Sequence, residues 1–189
     1  MKIGIDFDEV LAEFVKGYFN FYRLKTGIEI KFEDVFSYNL WEVMGISRDE
    51  AFKIADEFYD SEHFSELALV PGAKDTLIAL SKEHELLIVT SRPVRIAGKT
   101  EQYLRRNIPE IHPEIFYAGD IFREQGKPKA ELCAQLSLDH FVEDNLRYAQ
   151  QCAEKRIRVF LLDKSWNQGE LNGNVTRVKN WSEILNKLK

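Results

Sequence analysis

The sequence predicts an α/β fold in which a mostly parallel sheet lies between helical layers and a small helical lobe follows the first strand. Three observations carry that reading. Short apolar runs at residues 3–7, 85–90, 115–117, 140–142 and 158–162 have strand length and alternate with segments of helical periodicity, the pattern of βα units. The run Leu86-Leu87-Ile88-Val89 is apolar on both faces, as a strand covered from two sides requires. Between Leu11 and Leu69 no strand pattern occurs, and helical or aromatic stretches fill the interval.

Each element has its own local reason. In Ile3-Gly4-Ile5-Asp6-Phe7-Asp8 the apolar side chains alternate with period two, so Ile3, Ile5 and Phe7 share one face and Gly4, Asp6 and Asp8 the other. A helix is expected over residues 11–26, where Phe14, Val15, Tyr18, Phe19 and Tyr22 recur at helical spacing until Gly27 stops it. Residues 28–43 lose the pattern and become aromatic, with Phe32, Phe36, Tyr38 and Trp41. Ser47-Arg48-Asp49-Glu50 has the form of a capping box and opens a helix through about Tyr59. Pro71-Gly72 then punctuates the chain, and helices are expected over residues 73–82, 94–106, 129–136, 146–154 and 181–188. These assignments divide the chain into a core of residues 1–15 and 71–189 and a helical cap of residues 16–70.

Composition narrows the function classes. A hydrophobic content of 44% and a charged content of 30% are those of an ordinary globular protein. The net charge of −5 argues against the broad basic footprint of a nucleic-acid binder, so no nucleic-acid partner is expected. No apolar run approaches the roughly 18 residues of a membrane span, and no membrane partner is expected either. Cys133 and Cys152 both fall in apolar helical patterns, which suits buried free thiols and a reducing cytoplasm better than a disulfide framework. Oligomeric state is not encoded, and a homodimer stays open.

Ligands of such sheets bind outside the carboxyl ends of the strands, which makes the residues after each apolar run the ones to inspect. Asp6 and Asp8 follow the first run, Thr90-Ser91-Arg92 the second, Glu143-Asp144-Asn145 a later one and Asp163-Lys164 the last. If the first strand runs on to Asp8, both carboxylates project the same way, within reach of one cation. Mg²⁺ suits that place, because it takes oxygen ligands and is often held by one or two carboxylates plus substrate phosphate. Alternatively, the two aspartates cap a helix or start a turn. The hydroxyl and N–H groups at Thr90-Ser91 can hold phosphate oxygens, or Thr90 can serve as an ordinary N-cap. Glu143 and Asp144 can complete a magnesium site, or be plain loop carboxylates.

This ordered set resembles the haloacid dehalogenase superfamily of phosphatases. Its four signatures are matched by Asp6/Asp8, Thr90, Lys129 (or Lys127) and Glu143/Asp144, over residues 1 to about 162. The resemblance implies a Rossmann-like core and a Mg²⁺-dependent phosphomonoesterase. It further implies Asp6 as nucleophile, Asp8 as general acid and base, and a metal site of Asp6, Asp144 and the backbone carbonyl of Asp8. Phosphate would be bound by Thr90, Ser91 and a lysine, with Glu143 orienting that lysine or a metal-bound water. Lys129 is favoured because it directly opens the apolar helix of residues 130–136, whereas Lys127 precedes Pro128 in a turn.

In finer detail the opening segment, the insertion after it and Val89-Thr90-Ser91 resemble the 5'-nucleotidases of the deoxyribonucleotidase type. That likeness implies a small nucleotide substrate, with Phe14 and Trp41 as rings for its base; aromatic residues in a small lobe also serve as core. Glu9 stands where many relatives carry glycine, and Glu143 where they carry aspartate.

Overall fold

The computed structural model describes residues 1–119 and 126–188. Its strands β1 (Lys2–Ile5), β2 (Glu85–Thr90), β3 (Glu114–Tyr117), β4 (His140–Glu143), β5 (Arg158–Leu162) and β6 (Val175–Val178) form one sheet in the order β3-β2-β1-β4-β5-β6. Every pairing is parallel. The chain winds outward from β1 to β3, then returns to place β4 on the other side of β1. The crevice where strand order reverses therefore opens between β1 and β4, at their carboxyl ends.

Side-chain alternation sorts the core into two layers. Ile3, Ile5, Ile88, Val142, Phe160 and Leu162 face the helices α5 (Ala73–Leu80), α6 (Ala97–Asn107) and α9 (Trp181–Leu188), whose Leu77, Leu104 and Trp181 join the same cluster. Leu87, Val89, Phe141, Val159 and Leu161 face α7 (Lys129–Gln135) and α8 (Leu146–Glu154), with Cys133, Ala149 and Cys152. Both cysteines are free and buried. Gly4 is required where it stands: a Cβ there would lie 2.3 Å from Leu138 Cδ1 and 2.9 Å from the Phe141 ring.

The segment between β1 and β2 carries α1 (Phe14–Thr26), α2 (Leu40–Met44), α3 (Arg48–Asp60) and α4 (Glu62–Ser65). The Ser47 side chain caps α3 by accepting from the Glu50 N–H. The chain enters and leaves this segment side by side, because the Glu13 N–H donates to the Ala68 carbonyl and the Val70 N–H to the Leu11 carbonyl. Among the described residues no helix is long and apolar enough to cross a membrane.

Two expectations are corrected. Strand β1 ends at Ile5, and the first helix starts at Phe14 rather than residue 11. Between them the chain makes a tight turn, with the N–H groups of Leu11 and Ala12 both donating to the Phe7 carbonyl. Strand β6 was not anticipated, since Val175-Thr176-Arg177-Val178 is short, lies at a sheet edge and is apolar only at its ends.

Candidate active site

The carboxyl ends of β1, β2 and β4 bring the predicted residues into one pocket. Asp6, Asp8, Thr90, Ser91, Lys129 and Asp144 line it together with Phe14 and Trp41. The Asp6 N–H donates to the Val142 carbonyl, which extends the β1–β4 ladder by one residue and sets the Asp6 side chain at the mouth of the crevice.

Lys129 is the hub. It opens α7, is 1% exposed, and places Nζ 3.0 Å from Asp6 Oδ1 and 2.9 Å from Glu143 Oε2, above the Tyr148 ring. Burial alone would discourage an ammonium here, but Asp6 and Glu143 outweigh it and hold Lys129 charged. Lys127 lies elsewhere, donating to Gln135 Oε1 at the surface. The second oxygen of Glu143 accepts from the N–H groups of Asp144 and Asn145, both at 3.0 Å. Glu143 thus has both oxygens engaged by the protein.

Asp6, Glu143 and Asp144 form a buried acidic group whose ligand-capable atoms lie within 4.8 Å of one another. Burial, then the charge of Glu143, pushes the Asp6 carboxyl up to about 8 despite Lys129. Burial, then Glu143 and Asp6, likewise holds Asp144 well above the usual carboxylate range. Three buried acids share one lysine, a negative excess that suits a hard divalent cation with oxygen ligands. With Glu143 already committed to Lys129 and to backbone N–H groups, Asp6 and Asp144 are the carboxylates left to hold such an ion.

Asp8 is not part of that acidic group, so the picture of one cation between two strand-borne carboxylates is corrected. With β1 ending at Ile5, its side chain turns to Arg92, whose Nε lies 3.1 and 3.0 Å from the two carboxylate oxygens and whose Nη2 lies 2.5 Å from Oδ1. Thr90 Oγ1 accepts from the Arg92 N–H. Ser91 Oγ is buried, lines the pocket and has no hydrogen-bond partner among the described residues.

Glu9 occupies the glycine-like position in a glycine-like conformation, with φ of 60°. Its carboxylate accepts from the Val15 N–H at the start of α1 and pairs with Lys164 at 3.1 Å. Burial raises its carboxyl, and Lys164 and the Val15 N–H pull it back. The departure from glycine therefore ties the first turn to the loop after β5. That loop also supplies Trp166, whose Nε1 donates to Asp144 Oδ2, and Asn167, whose Nδ2 donates to the Asp144 carbonyl.

Aromatic side chains line the pocket beside the acids. Phe14 lines it while stacking on Tyr18 and meeting Phe58 edge-on, and Trp41 lines it while meeting Phe52 edge-on beneath the Arg48 guanidinium. Tyr38 reaches in from the same segment. Its residue is 37% exposed, yet burial of the hydroxyl and the charge of Asp144 raise the phenol. The sequence assigns no role to Tyr38 or Trp166, and it marks Arg92 only by its place directly after Thr90-Ser91 at a strand end.

Residues 1–188 match the family model described as 5' nucleotidase, deoxy (pyrimidine), cytosolic type C protein. The chain belongs to this family. A nucleotidase of Clostridium acetobutylicum is 29% identical over 164 residues, covering 85% of this chain and 78% of that protein. Among solved structures, a haloacid dehalogenase-like hydrolase of Streptococcus pneumoniae superposes with a TM-score of 0.70 at 17% identity, over 100% of this chain and 98% of that one. A D,D-heptose 1,7-bisphosphate phosphatase of B. bronchiseptica, complexed with magnesium and phosphate, gives 0.60 at 14% identity, over 100% and 98%. This member of the nucleotidase family thus has the haloacid dehalogenase fold, and its class is that of the phosphomonoesterases.

Proposed function

We propose that the protein is a Mg²⁺-dependent 5'-nucleotidase acting on nucleoside or deoxynucleoside monophosphates through a phosphoaspartate at Asp6. The observation that carries this reading is the ammonium of Lys129 between Asp6 and Glu143, in a pocket also lined by Phe14 and Trp41. A carboxylate can approach a phosphate dianion only where positive charge offsets the repulsion, and Lys129 supplies part of it.

Asp6 Oδ attacks phosphorus as the bond to the leaving oxygen breaks, and Asp8 gives that oxygen its proton. Water then attacks the phosphoaspartate, passes a proton to Asp8 and releases inorganic phosphate, which restores Asp6. Asp6, Asp144 and the Asp8 carbonyl would hold Mg²⁺, which would neutralise phosphate charge. Thr90, the Ser91 hydroxyl, which has no partner among the described residues, and Lys129 take the remaining phosphate oxygens. Glu143 orients Lys129. Residues 16–70 serve as a cap over the core of residues 1–15 and 71–189, excluding water and presenting Phe14 and Trp41 to the base. Base–aromatic stacking is worth about 1–3 kcal/mol per base.

A panel of monophosphates with and without a base tests the substrate. Rates that fall at least tenfold when ribose 5-phosphate replaces a nucleotide support it. Equal rates transfer the assignment to sugar phosphates, the alternative that keeps the same chemistry.

A further inference from the structure

Arg92 is a buried cation for which the scheme above has no use. Its side chain is 1% exposed, while that of its partner Asp8 is 27% exposed and lines the pocket. The guanidinium is fixed from several directions. Nη1 donates to Thr100 Oγ1 at 3.3 Å, and the group lies 3.7 Å from the centre of the Phe7 ring and 4.7 Å from that of Phe64. Asp8, 84 positions earlier in the sequence, is the carboxylate it meets among the described residues.

The contacts on the two oxygens are unequal. Oδ1 accepts from Nη2 at 2.5 Å and from Nε at 3.1 Å, whereas among the described residues Oδ2 accepts only from Nε, at 3.0 Å. A planar fork on a planar carboxylate fixes the orientation of that carboxylate as well as its place. Oδ2 is left with the greater capacity for a further proton.

We propose that Arg92 is a positioning residue for proton transfer by Asp8, holding the carboxylate so that Oδ2 faces the leaving oxygen and later the attacking water. The bond that breaks is the one between phosphorus and the leaving oxygen; the proton moves from Asp8 Oδ2 to that oxygen, and a proton from water replaces it. This inference rests on the reading of Asp8 as general acid and base.

The test uses leaving groups. The parameter kcat/KM reports steps up to phosphorylation of the enzyme, and p-nitrophenolate departs without a proton whereas a nucleoside alkoxide needs one. It is measured for p-nitrophenyl phosphate and a nucleoside 5'-monophosphate with wild type, Asp8→Asn, Arg92→Met, Arg92→Lys and the double variant Asp8→Asn/Arg92→Met. The expected result is a loss of about 10²-fold or more on the nucleotide for both Asp8→Asn and Arg92→Met, with a much smaller loss on the aryl ester. The double variant should fall no further than Asp8→Asn, and Arg92→Lys should recover part of the nucleotide rate.

Equal losses of Arg92→Met on both esters, or a double variant whose loss is the product of the single ones, would overturn the proposal. Should Arg92→Met fail to fold, Thr100→Val loosens only the far end of the guanidinium. A smaller loss with the same bias toward the nucleotide supports the proposal, and an equal loss on both esters overturns it. If Asp8→Asn itself shows no bias, the acid/base reading of Asp8 fails; if it shows the bias and the Arg92 variants do not, only the present inference fails.

Discussion

The indole N–H of Trp166 donates to Oδ2 of Asp144 at 2.9 Å, tying the loop after β5 to a carboxylate at the end of β4. The bond orients Asp144 and leaves its other oxygen unbonded among the described residues, where the proposed cation would bind. Groups that orient a metal-binding side chain typically contribute 10–100-fold in metal affinity. Trp166→Phe keeps most of the ring and removes the donor, so it should weaken Mg²⁺ binding by about 10–100-fold in calorimetric titration. In the wild type, Trp166 fluorescence should respond to Mg²⁺ without substrate.

The two lysines separate in the same way. Lys129→Met removes the ammonium between Asp6 and Glu143 and should lower kcat by about 10²–10³-fold. Lys127→Met removes a surface contact to Gln135 and should leave turnover within a factor of about two. Steady-state kinetics on one nucleotide decides, and comparable losses would contradict the assignment of Lys129.

Glu9 makes a conformational prediction. A non-glycine residue at φ of 60° carries strain of about 1–2 kcal/mol, here offset by the bonds to the Val15 N–H and Lys164. Alanine and glycine both lose those bonds, but only alanine keeps the strain. Glu9→Gly should therefore be more stable than Glu9→Ala by about 1 kcal/mol in denaturant unfolding.

His140 makes a prediction about acid stability. It lies at the start of β4, stacked on Phe160, with Nδ1 buried and unpartnered among the described residues. Burial, and then Arg158, lowers its pKa from 6.5; His84 and the N-terminal amine act in the same direction, and Asp139 opposes them. The folded state thus binds fewer protons than the unfolded one. This stability component is whole above pH 6.5 and is lost as pH falls toward the lower folded value. Melting temperatures from pH 7.5 to 5 should decline less in His140→Phe than in wild type.

The fold was legible because burial on two faces writes itself into Leu86-Leu87-Ile88-Val89 and its counterparts, and because ligands gather at strand ends. Asp6, Thr90, Lys129 and Asp144 could be singled out since each ends or directly follows a strand or opens a helix. The Asp8–Arg92 and Asp144–Trp166 bonds could not, because they join residues 84 and 22 positions apart and leave no periodic trace. The turn of residues 6–13 was misread for a related reason. Its apolar residues Phe7, Val10, Leu11 and Ala12 are all buried, so they mimic an amphipathic helix while the backbone at Glu9 turns left-handed.

The proposed mechanism requires that Asp6 become covalently phosphorylated. Rapid quenching with acid during turnover, followed by peptide mass analysis, detects that phosphoryl group. The expected product is an acid-stable, hydroxylamine-sensitive phosphoryl group on the peptide containing Asp6, dependent on Mg²⁺ and absent in Asp6→Asn. Turnover at wild-type rate by Asp6→Asn, or a phosphoryl group found on another side chain, would contradict it.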